Sequence, residues 1–201
     1  MNQFKVKVKN HFTNYNWKFK AKIITIIVLM LLIVLDQVIK LVVKENLTLN
    51  QAHPHWLMPG FITIKYVING GSAFGLNQGK TSLLIAIAFI ATFILLIWWT
   101  FSRITSHMVG IIFILAGTLG NLIDRFLNHG GVIDFLSWEL FQPYTIFNLA
   151  DIMVTIGICI IIIAIIVSLI KNFVYNHKEK QRRQKTKKVT TTAHETTRKT
   201  V

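Results

Sequence analysis

The chain has 201 residues, 53% of them hydrophobic and 15% charged, with a mean hydropathy of +0.53 and a formal net charge of +14. A water-soluble domain of this length carries more charge and does not gather its apolar residues into long blocks, so a soluble enzyme or binding module is excluded. The single cysteine, Cys159, cannot form an internal disulfide; mid-run in GICIIIIAII, it is expected to be a small buried hydrophobe.

The elements follow in chain order. Six lysines fall in residues 1–22 and ten Lys or Arg in residues 171–201, leaving six basic residues between. Positive flanks mark the cytoplasmic side of a membrane, so both termini are expected inside and the number of spans even. Residues 1–21 read as a basic cytoplasmic segment. The first span, about Lys22–Val43, is read as uncleaved because no small-residue cleavage site follows Ile23–Leu35. The connector Lys44–Thr81 holds FITIKYVI, which has strand character, and then NGGSAFG, too glycine-rich for a helix. The second span, Ser82–Phe101, has no charge and ends in the interfacial anchors Trp98 and Trp99. After the short link SRITSH comes the third span, Met108–Ile123, whose Gly110, Gly117 and Gly120 predict close packing against a neighbouring helix. The connector Arg125–Thr145 faces outward, and the fourth span runs about Ile146–Ile170.

These elements predict an all-α integral membrane protein, with four transmembrane helices and a small extracytoplasmic β element, in a single domain over residues 22–171. The basic tail, residues 172–201, is polar and expected to be disordered. Beside a span its expected partner is anionic lipid, and no nucleic-acid role is expected.

All four aspartates, Asp36, Asp124, Asp134 and Asp151, lie inside or beside apolar stretches. An ionised carboxylate in hydrocarbon costs several kcal/mol, so each is a candidate functional residue. At 1.5 Å per residue, Asp36 and Asp124 lie roughly 20 Å and roughly 24 Å above the cytoplasmic ends of their spans. Asp151 lies roughly 28 Å above Ile170 by the same rise. In a core about 30 Å thick these share the outer third, and Asp134 can reach that level from the adjoining connector. Two close carboxylates cannot both ionise cheaply: one stays protonated as an acid while the other, as a base, activates water. Asp134 in GGVIDF and Asp151 in FNLAD suit this chemistry, with no basic residue within a helical turn of either and Asn148 one turn from Asp151. Asp36 with Lys40, and Asp124 with Arg125, read first as charge pairs that make burial tolerable. Asp124 remains the alternative partner of Asp151.

The motifs DQVIK, NGGSAF, GNLIDR, VIDF and FNLAD occur in the order and approximate spacing of the lipoprotein signal peptidases, the type II signal peptidases of bacteria, and the chain resembles that family from about Asp36 to Asp151. The resemblance implies an intramembrane aspartyl protease of the bacterial cytoplasmic membrane with its site near the outer face. Its substrates would be diacylglyceryl-modified prolipoprotein signal peptides, cut before the lipidated cysteine. It places the catalytic dyad on Asp134 and Asp151. Asp36, Lys40, Asn69, Gly71, Asn121, Asp124, Arg125 and Asn148 would support the site or hold substrate. Ser72 stands where alanine is common in the family.

Three rival chemistries are weaker. A Ser72/Lys40 dyad needs a neutral lysine, and Lys40 has Asp36 one turn away. Neither metal nor cofactor is expected, because His53, His55 and His129 are scattered over loops without ligand spacing. A proton- or ion-coupled transporter would also use intramembrane aspartates, but four spans are few and no internal repeat is present.

Overall fold

The computed structural model of the protein describes residues 2–50, 52–58, 60–71, 81–140 and 145–199, with side-chain surroundings for those between 19 and 181 outside 52–56. Helix α1 is Asn2–Asn46, α2 Thr81–Phe101, α3 Thr105–Leu127 and α4 Leu149–Lys199. Within them, Phe19–Asn46, Thr81–Phe101, Thr105–Leu127 and Leu149–Gln181 are long and apolar enough to cross a membrane. At 1.5 Å per residue even the shortest of these matches a hydrocarbon core of about 30 Å. Ile24, Leu31 and Val34 of α1 and Phe93 and Ile94 of α2 are exposed, a pattern that water would reject and lipid accepts.

Helix α3 is the one with a true interior. Ile111, Ile112 and Leu115 form its core with Val28, Leu29 and Leu32 of α1, Leu95 and Trp99 of α2, and Ile161 of α4. A Cβ on Gly117 would run into the Ala150 carbonyl and Val154, so α3 and α4 approach too closely for any other residue there. At the start of the first span, the Lys22 ammonium stands 5.3 Å from the Trp99 ring centre. The Trp99 indole N–H donates to Thr25 Oγ1 at 3.1 Å, tying α1 to the end of α2.

On α4 the buried positions are Ala150, Met153, Gly157 and Ile161, at helical spacing. Cys159 falls on the opposite side and is exposed, so it is not the buried hydrophobe that its neighbours suggest. Residues Ile162–Val201 form a second compact unit. Here α4 runs on to Lys199, and the stretch that composition assigns to disorder has helical backbone; its Lys, Arg and Gln are good helix formers. Phe173 stacks on His177, whose Nε2 lies 2.9 Å from Gln181 Nε2.

Four strands, β1 (Ala52–Met58), β2 (Ile62–Asn69), β3 (Val132–Trp138) and β4 (Thr145–Phe147), make one antiparallel sheet in sequential order. FITIKYVI supplies β2 as expected. Ile146 and Phe147, expected to open the fourth span, belong instead with Thr145 to the edge strand β4, and α4 starts after Asn148. Between α3 and β3 the chain reverses through His129 and Gly130, both at positive φ (51° and 98°), which the glycine accepts without strain. Strand alternation then does the positioning. Ile133 and Phe135 pack with Val43 and Tyr66, while Val132, Asp134 and Trp138 face a cavity.

Candidate active site

The site is assembled from helices α1, α3 and α4 and strands β2 to β4. On α1, Asp36 and Lys40 share a face one turn apart, and Lys40 Nζ lies 2.9 Å from Asp36 Oδ2. The same ammonium lies 3.0 Å from Asp124 Oδ2 on α3 and donates to Asn121 Oδ1 at 3.0 Å. All three side chains of this ion cluster are buried. Room for Asp36 comes from Gly120, where a Cβ would press on its carboxylate. Asp124 also accepts from the Ile133 backbone N–H at 2.9 Å, which joins α3 to β3.

The expected pairing of Asp124 with Arg125 is not what forms. Consecutive helical residues point about 100° apart, so Asp124 turns to Lys40 while Arg125 turns to the cavity. There Arg125 Nη1 donates to the Asn121 carbonyl at 3.3 Å and Nη2 to the Gly71 carbonyl at 3.4 Å. Its buried Nε has no hydrogen-bond partner among the described residues. Gln37 is a residue that motif reading passed over. Its amide lies 3.2 Å from Asp36 Oδ2, Asp124 Oδ1 and the Gly120 carbonyl alike. Its signal was a second polar side chain in an apolar span, directly after Asp36.

Asp134 and Asp151 line one cavity of about 470 Å³ with Asn69, Asn121 and Arg125. Asp134 accepts from Asn69 Nδ2 at 2.9 Å and from Asn148 Nδ2 at 2.7 Å. The strand register makes the first bond possible, since Asn69 lies opposite Val132, two residues from Asp134. Asn69 is in turn held by the Gly71 N–H on its Oδ1 at 2.9 Å. Asp151 Oδ1 accepts from Asn121 Nδ2 at 2.8 Å, and its Oδ2 from the Asn148 backbone N–H at 3.2 Å. The Asp151 N–H donates back to Asn148 Oδ1 at 3.0 Å. Asn148 and Asp151 therefore cap the start of α4 reciprocally, and the N–H dipoles of that first turn favour an anion there. Asn148 touches both aspartates.

The rest of the cavity wall is mostly apolar: Val132, Trp138, Ile146, Phe147, Ile152 and Val154. Trp138, whose ring centre lies 5.0 Å from that of Phe61, belongs to this wall. Ser72 and the side chains of His53, His55 and Trp56 lie outside the described residues. The Ser/Lys alternative fails at Lys40, whose three N–H donors are all engaged by Asp36, Asp124 and Asn121.

Burial pushes the Asp134 carboxyl up to about 7, the nearby Asp151 carboxylate acting in the same direction and the two asparagine amides against it. Asp134 is thus protonated below neutral pH. A carboxyl raised in the folded protein contributes stability that is complete below its ordinary value and lost as pH rises through about 7. The melting temperature of the wild type in detergent should therefore fall on going from about pH 5 to about pH 9, by a free energy on the order of a few kcal/mol. Asp134→Asn should largely remove that dependence. A wild type and variant with parallel curves would refute the raised value.

Residues 28–167 match the model of the Peptidase_A8 family, signal peptidase (SPase) II. A lipoprotein signal peptidase of Halothermothrix orenii is 37% identical over 139 residues, 68% of this chain and 91% of its own. One from Streptococcus pneumoniae is 33% identical over 148 residues, 72% and 94% of the two chains. Among solved structures, a bacterial membrane enzyme determined by the in meso method at 2.3 Å resolution superposes with a TM-score of 0.66. It is 30% identical, over 72% of this chain and 88% of that one.

Proposed function

The chain belongs to the signal peptidase II family, and from that premise we propose that it is an intramembrane aspartic endopeptidase that removes signal peptides from diacylglyceryl-modified prolipoproteins. Asp134 and Asp151 are its catalytic pair. The observation that carries this reading is their common cavity, where each carboxylate is held by its own amides and Asn148 touches both. Both termini lie in the cytoplasm, and the sheet and site lie at the outer face.

The substrate's peptide bond enters the cavity between the two carboxyls. Asp151, ionised, takes a proton from water as the water oxygen bonds to the carbonyl carbon. Asp134, neutral, gives its proton to the carbonyl oxygen, and a gem-diol forms. The new acid on Asp151 then protonates the amide nitrogen and the C–N bond breaks. Asp134 regains its proton from a gem-diol hydroxyl, leaving a free carboxylic acid and an amine. The Arg125 guanidinium on the cavity wall adds positive charge where carbonyl oxygen develops negative charge. The outer-leaflet site lets acyl chains stay in the bilayer while the peptide reaches the acid pair.

The test is cleavage of a synthetic diacylglyceryl prolipoprotein peptide by the purified protein, with products identified by mass. A single cut before the lipidated cysteine is expected, and no cut, or a cut elsewhere, would overturn the assignment. The rate should follow a bell in pH whose alkaline limb falls through about 7, where Asp134 loses its proton. A rate unchanged from about pH 5 to about pH 9 would exclude this acid–base pairing.

A further inference from the structure

We infer that Lys40, which touches neither proposed catalytic carboxylate, positions Asp151 through Asn121 and thereby sets the reactive geometry of the pair. This rests on the catalytic reading of Asp134 and Asp151. The geometry is a chain across three helices: Lys40 Nζ on α1 to Asn121 Oδ1 on α3 at 3.0 Å, then Asn121 Nδ2 to Asp151 Oδ1 on α4 at 2.8 Å. Charge compensation alone does not call for the first link. Lys40 already lies at 2.9 and 3.0 Å from two carboxylates, and its third N–H is spent on a neutral amide.

That third bond fixes which way the Asn121 amide points. With its oxygen toward the ammonium, its NH2 can only face Asp151. Rotated by half a turn, it would set NH2 against the Lys40 ammonium and its oxygen against the Asp151 carboxylate, unfavourable at both ends. The other donor to Asn121 Oδ1 is Asn148 Nδ2, also at 3.0 Å, but that group is shared with Asp134 at 2.7 Å and the Ile133 carbonyl at 3.3 Å. A neutral NH2 divided among three acceptors holds less firmly than an ammonium. Lys40 itself cannot drift, because it closes a ring with buried Asp36 and Asp124 and half-buried Gln37. In a site whose reacting atoms need alignment, a displacement of about 1 Å costs on the order of 100-fold in rate.

The experiment compares kcat and KM for the diacylglyceryl peptide in wild type, Asp151→Asn, Asn121→Ala, Asp36→Asn/Lys40→Gln, and the triple combination of the last two. Replacing Asp36 and Lys40 together removes one charge of each sign, so the net charge of the ring is unchanged and Asp124 carries it; thermal melting in detergent reports folding. Expected is a kcat about 100-fold down in the double variant with KM within a few-fold of wild type. Asn121→Ala should fall by a similar factor and the triple variant no further, since both changes act on one link. A wild-type kcat in the folded double variant, or losses that multiply in the triple, would overturn the inference. If the double variant does not fold, Asn121→Ala decides: a wild-type kcat there overturns it, and a lowered kcat at unchanged KM supports it. Activity surviving in Asp151→Asn would instead overturn the catalytic reading, and the positioning role with it.

Discussion

Asp134→Asn and Asp151→Asn are each expected to lower the cleavage rate of a diacylglyceryl peptide by about 1,000-fold or more, whereas Asp124→Asn keeps part of the activity. Acid–base groups in direct contact with the reacting atoms typically contribute 10²- to 10⁴-fold each. An amide in place of Asp151 can take no proton from water, and one in place of Asp134 can neither donate nor regain one on this cycle. Asp124 differs because its oxygens face Lys40, Gln37 and the Ile133 N–H, and it is not among the residues lining the cavity. Its neutralisation leaves Lys40 with one carboxylate instead of two, a change in stability more than in chemistry. Melting curves of all three variants separate those effects. A folded, inactive Asp124→Asn beside an active Asp134→Asn would move the pair to Asp124 and Asp151.

Removing the lipid from the substrate should lower kcat/KM by about 100-fold or more. The cavity is walled largely by apolar side chains, and the faces of α1 and α2 are exposed to hydrocarbon. A peptide without acyl chains must come from water to a site at membrane depth. A lipidated one is held in the same bilayer or micelle, which raises its local concentration without any new contact to the reacting bond. Each acyl CH₂ held in apolar surroundings contributes about 0.8 kcal/mol, so even four account for about 3 kcal/mol. The comparison needs matched peptides in the same micelles, with initial rates over a range of substrate. Equal efficiencies would count against a lipidated substrate and leave the peptidase chemistry standing.

Much of this was legible because polar residues in apolar spans are conspicuous. Asp36 and Lys40, four apart on a helix, must share a face, and they pair. The four spans followed from length and hydropathy, and FITIKYVI from its β-branched residues and alternation. What failed were inferences from mere adjacency. Asp124 and Arg125 are neighbours in sequence and face different groups in space. Ile146 and Phe147 are as apolar as a helix start, but cross-strand bonding of Thr145–Phe147 to Leu136–Trp138 claims them. Gln37 went unnoticed because an amide carries no charge to draw attention, and its value depends on three acceptors that only folding brings together.

The half-buried third span also bears on how the protein enters its membrane. The first, second and fourth spans are strongly apolar and mostly face outward, so each can partition into lipid alone. The third is the least apolar, and near one end it carries Asn121, Asp124 and Arg125. Left alone in hydrocarbon, its Asp124 has no counter-charge to face, and the Lys40 that pairs with it belongs to a span synthesised earlier. Insertion of this span is then a cooperative event, in which the helix stays in the bilayer because an earlier one is waiting there with the opposite charge. The order of synthesis, first span before third, delivers the ammonium before the carboxylate that needs it.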